Sequence, residues 1–224
     1  MSTVNPQIIT IDGPSGVGKG TISALLAEKL GWHFLDSGVL YRVAAYAALK
    51  HHVSLENEAQ LADVARNLKV TFSGGQIFFE DEAVESKIRE EHVGNTASKI
   101  GAYQAVRDSL FELQRSFAKA PGLVTDGRDM GTAIFPEAAL KIFLTASSKE
   151  RAERRFLQLQ SRGIHVSIHD LLREIEARDE RDQTRAASPL KPAKDAVVID
   201  TSALSIDEVF AQIWEKVMKI QHNR

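Results

Sequence analysis

The chain has 224 residues, with 28 Lys plus Arg against 30 Asp plus Glu, a net charge of −2 and no cysteine. Zero cysteine excludes disulfide frameworks, thiolate catalysis and Cys-ligated zinc or iron–sulfur sites, and agrees with a reducing compartment. The near-neutral balance predicts no affinity for nucleic-acid polymers. The longest apolar run, residues 43–49, falls far short of the roughly 20 residues that span a bilayer, and the start of the chain, MSTVNPQ, shows no secretory leader pattern.

Five short apolar segments predict strands, with helical patterns between them. The first, Gln7–Ile11, is followed by Ile22, Leu25, Leu26 and Leu30 at helical period, and Gly31 stands where a helix-ending glycine belongs. The second strand is Trp32–Leu35. In Leu68–Ser73, apolar and polar residues alternate, Gly74-Gly75 follows, and Gln76–Glu80 comes next. That pattern predicts an antiparallel hairpin outside the main sheet, and we place an insertion at about 66–97. Leu123–Thr125 and Leu140–Leu144 are the third and fourth strands. Ser147 and Glu150 have capping-box spacing at the start of a helix, and Ser167 with Asp170 opens another. Ala196–Ile199 is the fifth strand. Ser205 and Glu208 open the last helix, whose Val209, Ile213 and Val217 recur at i, i+4 and i+8. Strands alternating with helices predict an α/β fold with a parallel sheet.

The average charge conceals two clusters. Four of the 14 glycines fall at 13, 16, 18 and 20, and eight of the 15 arginines fall between 151 and 185. Residues 149–194 carry 11 basic and 8 acidic side chains, a local excess of positive charge in a negative chain.

Residues 13–21 read GPSGVGKGT between a strand and an amphipathic helix. Gly13, Gly18 and Lys19 satisfy the GxxxxGK pattern. Glycines let backbone N–H groups wrap a phosphate, the helix start adds its positive dipole end, and Lys19 can bridge donor phosphates. Gly13, Pro14, Ser15, Gly16, Val17, Gly18, Lys19, Gly20 and Thr21 are therefore the expected ATP-binding loop. The hydroxyl that usually follows the lysine is displaced here, because Gly20 precedes Thr21. No direct protein ligand for Mg²⁺ is assigned; phosphates and water are expected to hold it. The guanine-reading NKxD pattern of GTPase switches is absent, which leaves a small kinase with a second pocket for the acceptor.

Further motifs fit such a pocket. Asp36-Ser37-Gly38 ends the second strand, with Tyr41-Arg42 one turn into the next helix. Ser37 and Gly38 can present a helix N-terminus to an anion. Arg42 can reach the same anion, although alone it reads better as a solvated charge. Asp126-Gly127-Arg128-Asp129 ends the third strand, where open α/β sheets bind ligands. Asp126 lies where a Walker-B-type acid would lie, or else acts as a turn carboxylate. In ARDERDQTR (177–185), the helical spacing puts Arg178, Asp182 and Arg185 on one face. The alternative is an exposed helix laced with Asp–Arg pairs.

Together GPSGVGKGT, DSGVLYR, DGRDMGT and ARDERDQTR resemble the bacterial-type cytidylate kinases, in the nucleoside monophosphate kinase group of P-loop proteins. The match runs along nearly the whole chain. The resemblance implies a P-loop NTPase fold over residues 1–224, a single kinase domain with a five-stranded parallel sheet and helices on both faces. It also implies a small antiparallel β insertion in the acceptor-binding region and a helical lid at about 149–170. The implied activity is ATP-dependent phosphorylation of CMP and dCMP in pyrimidine nucleotide metabolism, with Mg²⁺, in a cytoplasmic monomer that binds neither nucleic acid nor membrane. The alternative is a P-loop kinase for another small acceptor, UMP or a shikimate-like hydroxyl compound.

Carried over by position, the resemblance gives Ser15, Arg42 and Arg128 to the acceptor phosphate. It gives Ser98, Arg107, Asp129 and Arg185 to the cytosine edge, and Asp182 with Arg178 to the sugar. Ser37 is implied near the nucleotide. Arg154 and Arg155 are implied to reach the transferring phosphoryl from the lid. Lys19, Arg128, Arg154, Arg155 and Arg185 form the implied catalytic set. Asp129 fits its role chemically, because a carboxylate accepts from the cytosine N4 amino group that uridine lacks.

Overall fold

The computed structural model describes residues 7–161 and 163–222. β1 (Gln7–Asp12) is buried along nearly its whole length. The phosphate-loop segment follows, then α1 (Lys19–Leu30), which Gly31 ends in the left-handed conformation with its N–H on the Ala27 and Glu28 carbonyls. β2 (His33–Asp36) leads into α2 (Ser37–Lys50), capped by the Asp36 side chain, which accepts the Val39 N–H at 3.3 Å.

α3 (Glu58–Arg66) precedes the expected hairpin, β3 (Val70–Ser73) and β4 (Gln76–Phe79), paired antiparallel around Gly74-Gly75. A two-residue third strand, β5 (Glu82–Ala83), pairs with β4 and was not foreseen. Next come α4 (Glu85–Ile88), α5 (Glu91–Ile100) and α6 (Gln104–Arg115). β6 (Gly122–Gly127) is buried throughout, as a strand covered on both faces must be. A π-helical turn, Met130–Ile134, follows directly. The chain closes with β7 (Leu140–Thr145), α7 (Ser148–Gln160), α8 (Ile168–Thr184), β8 (Val197–Asp200) and α9 (Ile206–His222).

The chain forms two compact units. The first holds the described residues of Met1–Leu35, Phe117–Thr184 and Ser188–Arg224. It carries the five-stranded parallel sheet, in the order β2-β6-β1-β7-β8. Ile9, Ile11, Val124, Ile142, Leu144 and Ile199 from the strands pack against Ile22 and Leu26 of α1 and Val209, Ile213 and Val217 of α9. The i, i+4, i+8 stripe on α9 is thus its buried face. Its capping box is reciprocal: Ser205 N–H donates to Glu208 Oε2 at 2.8 Å, and Glu208 N–H donates to Ser205 Oγ at 3.3 Å.

The second unit holds Asp36–Ser116 and Arg185–Ala187. Its central helix, α2, is covered on two sides. Ala44, Ala45 and Ala48 meet Leu61, Val93, Ala97, Val106 and Leu110 of the neighbouring helices. Val39, Val43 and Ala47 meet Ile77, Phe79 and Ile88 around the antiparallel sheet. The alanine-rich run at 43–49 is therefore a helix buried on both sides, where small side chains allow close approach.

Candidate active site

The phosphate loop runs from the end of β1 to the start of α1. Gly13 is required there twice. Its φ is +150°, and a Cβ would lie 2.1 Å from the Leu144 carbonyl oxygen of β7. Gly18, at φ 93°, caps α1 with no side chain, and the first turn of α1 carries no acidic residue. The free N–H end of the helix and its dipole thus favour an anion. Lys19 is buried and donates from Nζ to the Pro14 carbonyl at 2.7 Å, so its ammonium lies along the loop. Gly20 and Thr21 are exposed.

Two groups that the sequence did not single out brace the surroundings of this loop. Asp12, the last residue of β1, is buried and accepts the Met130 and Gly131 N–H groups, both at 2.8 Å, on its two carboxylate oxygens. Arg151 of α7 is only 3% exposed. It donates from Nε to the Ala146 carbonyl at 3.1 Å and from Nη1 to the Ser15 carbonyl at 3.0 Å. It also clasps both carboxylate oxygens of Asp179 on α8. Of the arginine-rich stretch, this member is committed to architecture. Its sequence signal was one arginine among eight.

Arg128 and Asp182 meet although they are far apart in sequence. Arg128 Nε donates to Asp182 Oδ2 at 3.0 Å, and its Nη1 donates to the Gly127 carbonyl at 3.3 Å. Asp182 is buried on α8, with Arg178 half-buried one turn earlier. Asp129 is 2% exposed, and its carbonyl accepts the Thr132, Ala133 and Ile134 N–H groups of the π-helical turn. Asp126 is buried at the end of β6. Arg154 donates from Nη2 to the Thr201 carbonyl at 2.5 Å, and Arg155 from Nη1 to Gln158 Oε1 at 2.9 Å.

The second unit carries the other expected residues. Ser37 is buried as the first residue of α2, beside Asp36, which pairs with Arg89 at 3.4 Å. Arg42 donates from Nη1 to the Ile88 carbonyl at 2.7 Å, and its guanidinium lies against Gly94 of α5. Ser98 and Arg107 are buried. Arg107 lies 5.7 Å from the Tyr41 ring centroid and donates to the Gly101 carbonyl at 3.0 Å. Arg185 donates to that same carbonyl at 3.4 Å. Two always-charged, planar guanidinium groups therefore converge on one oxygen, an arrangement suited to a polar ligand edge or an anion. The expected helical face of Arg178, Asp182 and Arg185 needs correction: α8 ends at Thr184, and Arg185 lies beyond it, in the second unit.

Residues 9–219 match the sequence profile of the cytidylate kinase family. The chain belongs to the cytidylate kinase family. It is 57% identical over 216 residues to the cytidylate kinase of Shewanella denitrificans strain OS217, covering 94% of this chain and 95% of that protein. It is 56% identical over 210 residues to that of Aeromonas hydrophila subsp. hydrophila, covering 92% and 91%. A solved structure of an uncharacterized protein from Eubacterium ventriosum ATCC 27560 aligns over 95% of this chain and 98% of that one, with a TM-score of 0.54 at 14% identity. That likeness concerns the fold alone. As a cytidylate kinase family member, the chain is an ATP-dependent phosphotransferase. No helix among the described residues is long and apolar enough to cross a membrane.

Proposed function

We propose that this protein transfers the γ-phosphoryl group of ATP to the 5′-phosphate of CMP or dCMP, giving ADP and CDP or dCDP. The observation that carries this reading is the family match over residues 9–219, together with a glycine loop that opens a helix N-terminus at a buried lysine. In the first unit, Lys19 and the amides of residues 13–21 hold the donor phosphates, and Ser15 and Arg128 serve the acceptor phosphate. Asp129 accepts from the cytosine amino group, and Asp182 with Arg178 serves the sugar. Arg154 and Arg155, on the lid of about 149–170, turn from their present partners toward the transferring phosphoryl. In the second unit, which contains the insertion at about 66–97, Arg42 serves the acceptor phosphate. Ser98, Arg107 and Arg185 read the base, and Ser37 lies near the nucleotide.

An acceptor phosphate monoester has a second pKa of about 6 and is largely a dianion at neutral pH. It needs little help from a general base. Catalysis then rests on in-line positioning and charge stabilisation by the loop amides, Lys19 and the arginines. Because Gly20 displaces the hydroxyl that usually follows the loop lysine, Mg²⁺ would be held mainly by nucleotide phosphates and water, where it would neutralise developing charge. Cytoplasmic location and a monomeric state complete the proposal.

Lys19→Met tests the loop. Turnover is expected to fall by about 100-fold or more, with the circular dichroism spectrum unchanged. A kcat near that of the unmodified protein would remove the loop from the reaction.

A further inference from the structure

Asp12 has no part in the scheme above, yet it is a buried carboxylate standing directly before the phosphate loop. Each of its oxygens accepts one backbone N–H, from Met130 and from Gly131. These are the first two residues of the π-helical turn, and Asp129 is the residue that caps it. The turn is also seated closely on β1, since a Cβ on Gly131 would lie 2.8 Å from Thr10 Oγ1. We propose that Asp12 is a positioning residue for acceptor choice, whose ionised carboxylate fixes the turn and thereby fixes where Asp129 presents its own carboxylate. This rests on the reading that Asp129 recognises the cytosine amino group.

The chemistry requires two acceptors. An ionised carboxylate offers two full acceptors; an amide places a donor against one of the N–H groups, and a protonated acid leaves only a weak hydroxyl acceptor there. Losing one of these buried bonds leaves a backbone N–H unsatisfied and loosens the turn. Burial pushes the Asp12 carboxyl up to about 6, against the pull of the Gly131 and Met130 N–H groups. Of the nearby charges, Asp129 raises it and Lys19 lowers it. Asp126 stands one register position back, on the residue paired with Ile11.

The test is the ratio of kcat/KM for CMP to that for UMP, followed from about pH 8 to about pH 5.5. Both acceptors carry the same phosphate monoester, so its ionisation cancels in the ratio. The unmodified protein is expected to lose about threefold of its preference across this range, and Asp12→Asn to show a ratio at or below that low value at every pH. Three results would overturn the proposal: an Asp12→Asn ratio equal to the unmodified one at about pH 8, a variant ratio that keeps the full pH dependence, and a flat profile in the unmodified protein. The last serves even if the variant does not fold. Asp129→Ala, measured alongside, separates the two failures. If that variant keeps the full preference for CMP, the reading of Asp129 fails and the Asp12 proposal with it. If Asp129→Ala collapses the ratio and Asp12→Asn does not, only the Asp12 proposal fails.

Discussion

Arg128 Nε donates to Asp182 Oδ2 at 3.0 Å, joining the turn after β6 to the last part of α8. The carboxylate is 4% exposed and the arginine 19%, so the pair is only weakly screened. It fixes the side chain assigned to the acceptor phosphate to the one assigned to the sugar.

Asp182→Ala is therefore expected to raise the KM for CMP about tenfold while leaving the KM for ATP nearly unchanged, with Arg178→Ala acting in the same direction. Steady-state kinetics with each substrate varied in turn checks this. Unchanged CMP values in both variants would leave Arg178 and Asp182 a structural role only.

Gly94→Ala separates stability from binding. A Cβ there would come within 2.7 Å of Arg42 Nη2, the mobile end of a long side chain. Alanine in a helix is favoured over glycine by about 1 kcal/mol, so the melting temperature is expected to hold or rise. The displaced guanidinium should raise the CMP KM severalfold. A fall in stability with unchanged KM would contradict the assignment of Arg42 to the acceptor.

Arg151 predicts a loss of stability. Replacing it with Met leaves the Asp179 carboxylate and two carbonyls without their donors. Removing one partner of a buried ion pair costs about 3–5 kcal/mol. Lys should recover only part of this, because an ammonium does not reproduce the bidentate fork. Urea unfolding of the three proteins measures the order Arg, Lys, Met.

The five parallel strands were legible because each is a short apolar run flanked by turn residues, and Gly31 and the Ser205–Glu208 box marked helix ends by local rules. The Arg185 placement failed for a local reason as well. Its spacing suits α8, but Pro189 disfavours helix just before it, and Ser188 adopts a positive φ of 45°. Leu190 N–H then returns to the Asp182 carbonyl at 2.7 Å. Arg151 and Asp12 were not legible for another reason. Their partners lie at Ser15 and Asp179, and at Met130 and Gly131, and residue spacing carries no information on pairing at such distances. β5, at two residues, is too short to leave a periodic signal.

Asp12 also predicts a pH dependence of stability. Its folded carboxyl titrates near 6, above the ordinary value of about 3.9. Between these limits the folded protein binds the extra proton, so this group makes stability fall as pH rises, by up to about 1 kcal/mol per pH unit. Other carboxylates contribute slopes of their own. The difference between the unmodified protein and Asp12→Asn isolates this one, and chemical denaturation from about pH 4 to about pH 7 should show it. A difference that stays flat across the window would place the Asp12 pKa in the ordinary range.

The most direct measurement is ADP release with ATP and a panel of acceptors: CMP, dCMP, UMP, AMP and shikimate. Rapid release with CMP and dCMP, slow release with UMP and none above background with AMP or shikimate is the expected result. Turnover of shikimate without turnover of CMP, or ADP release that no acceptor accelerates, would contradict a cytidylate-directed phosphotransferase.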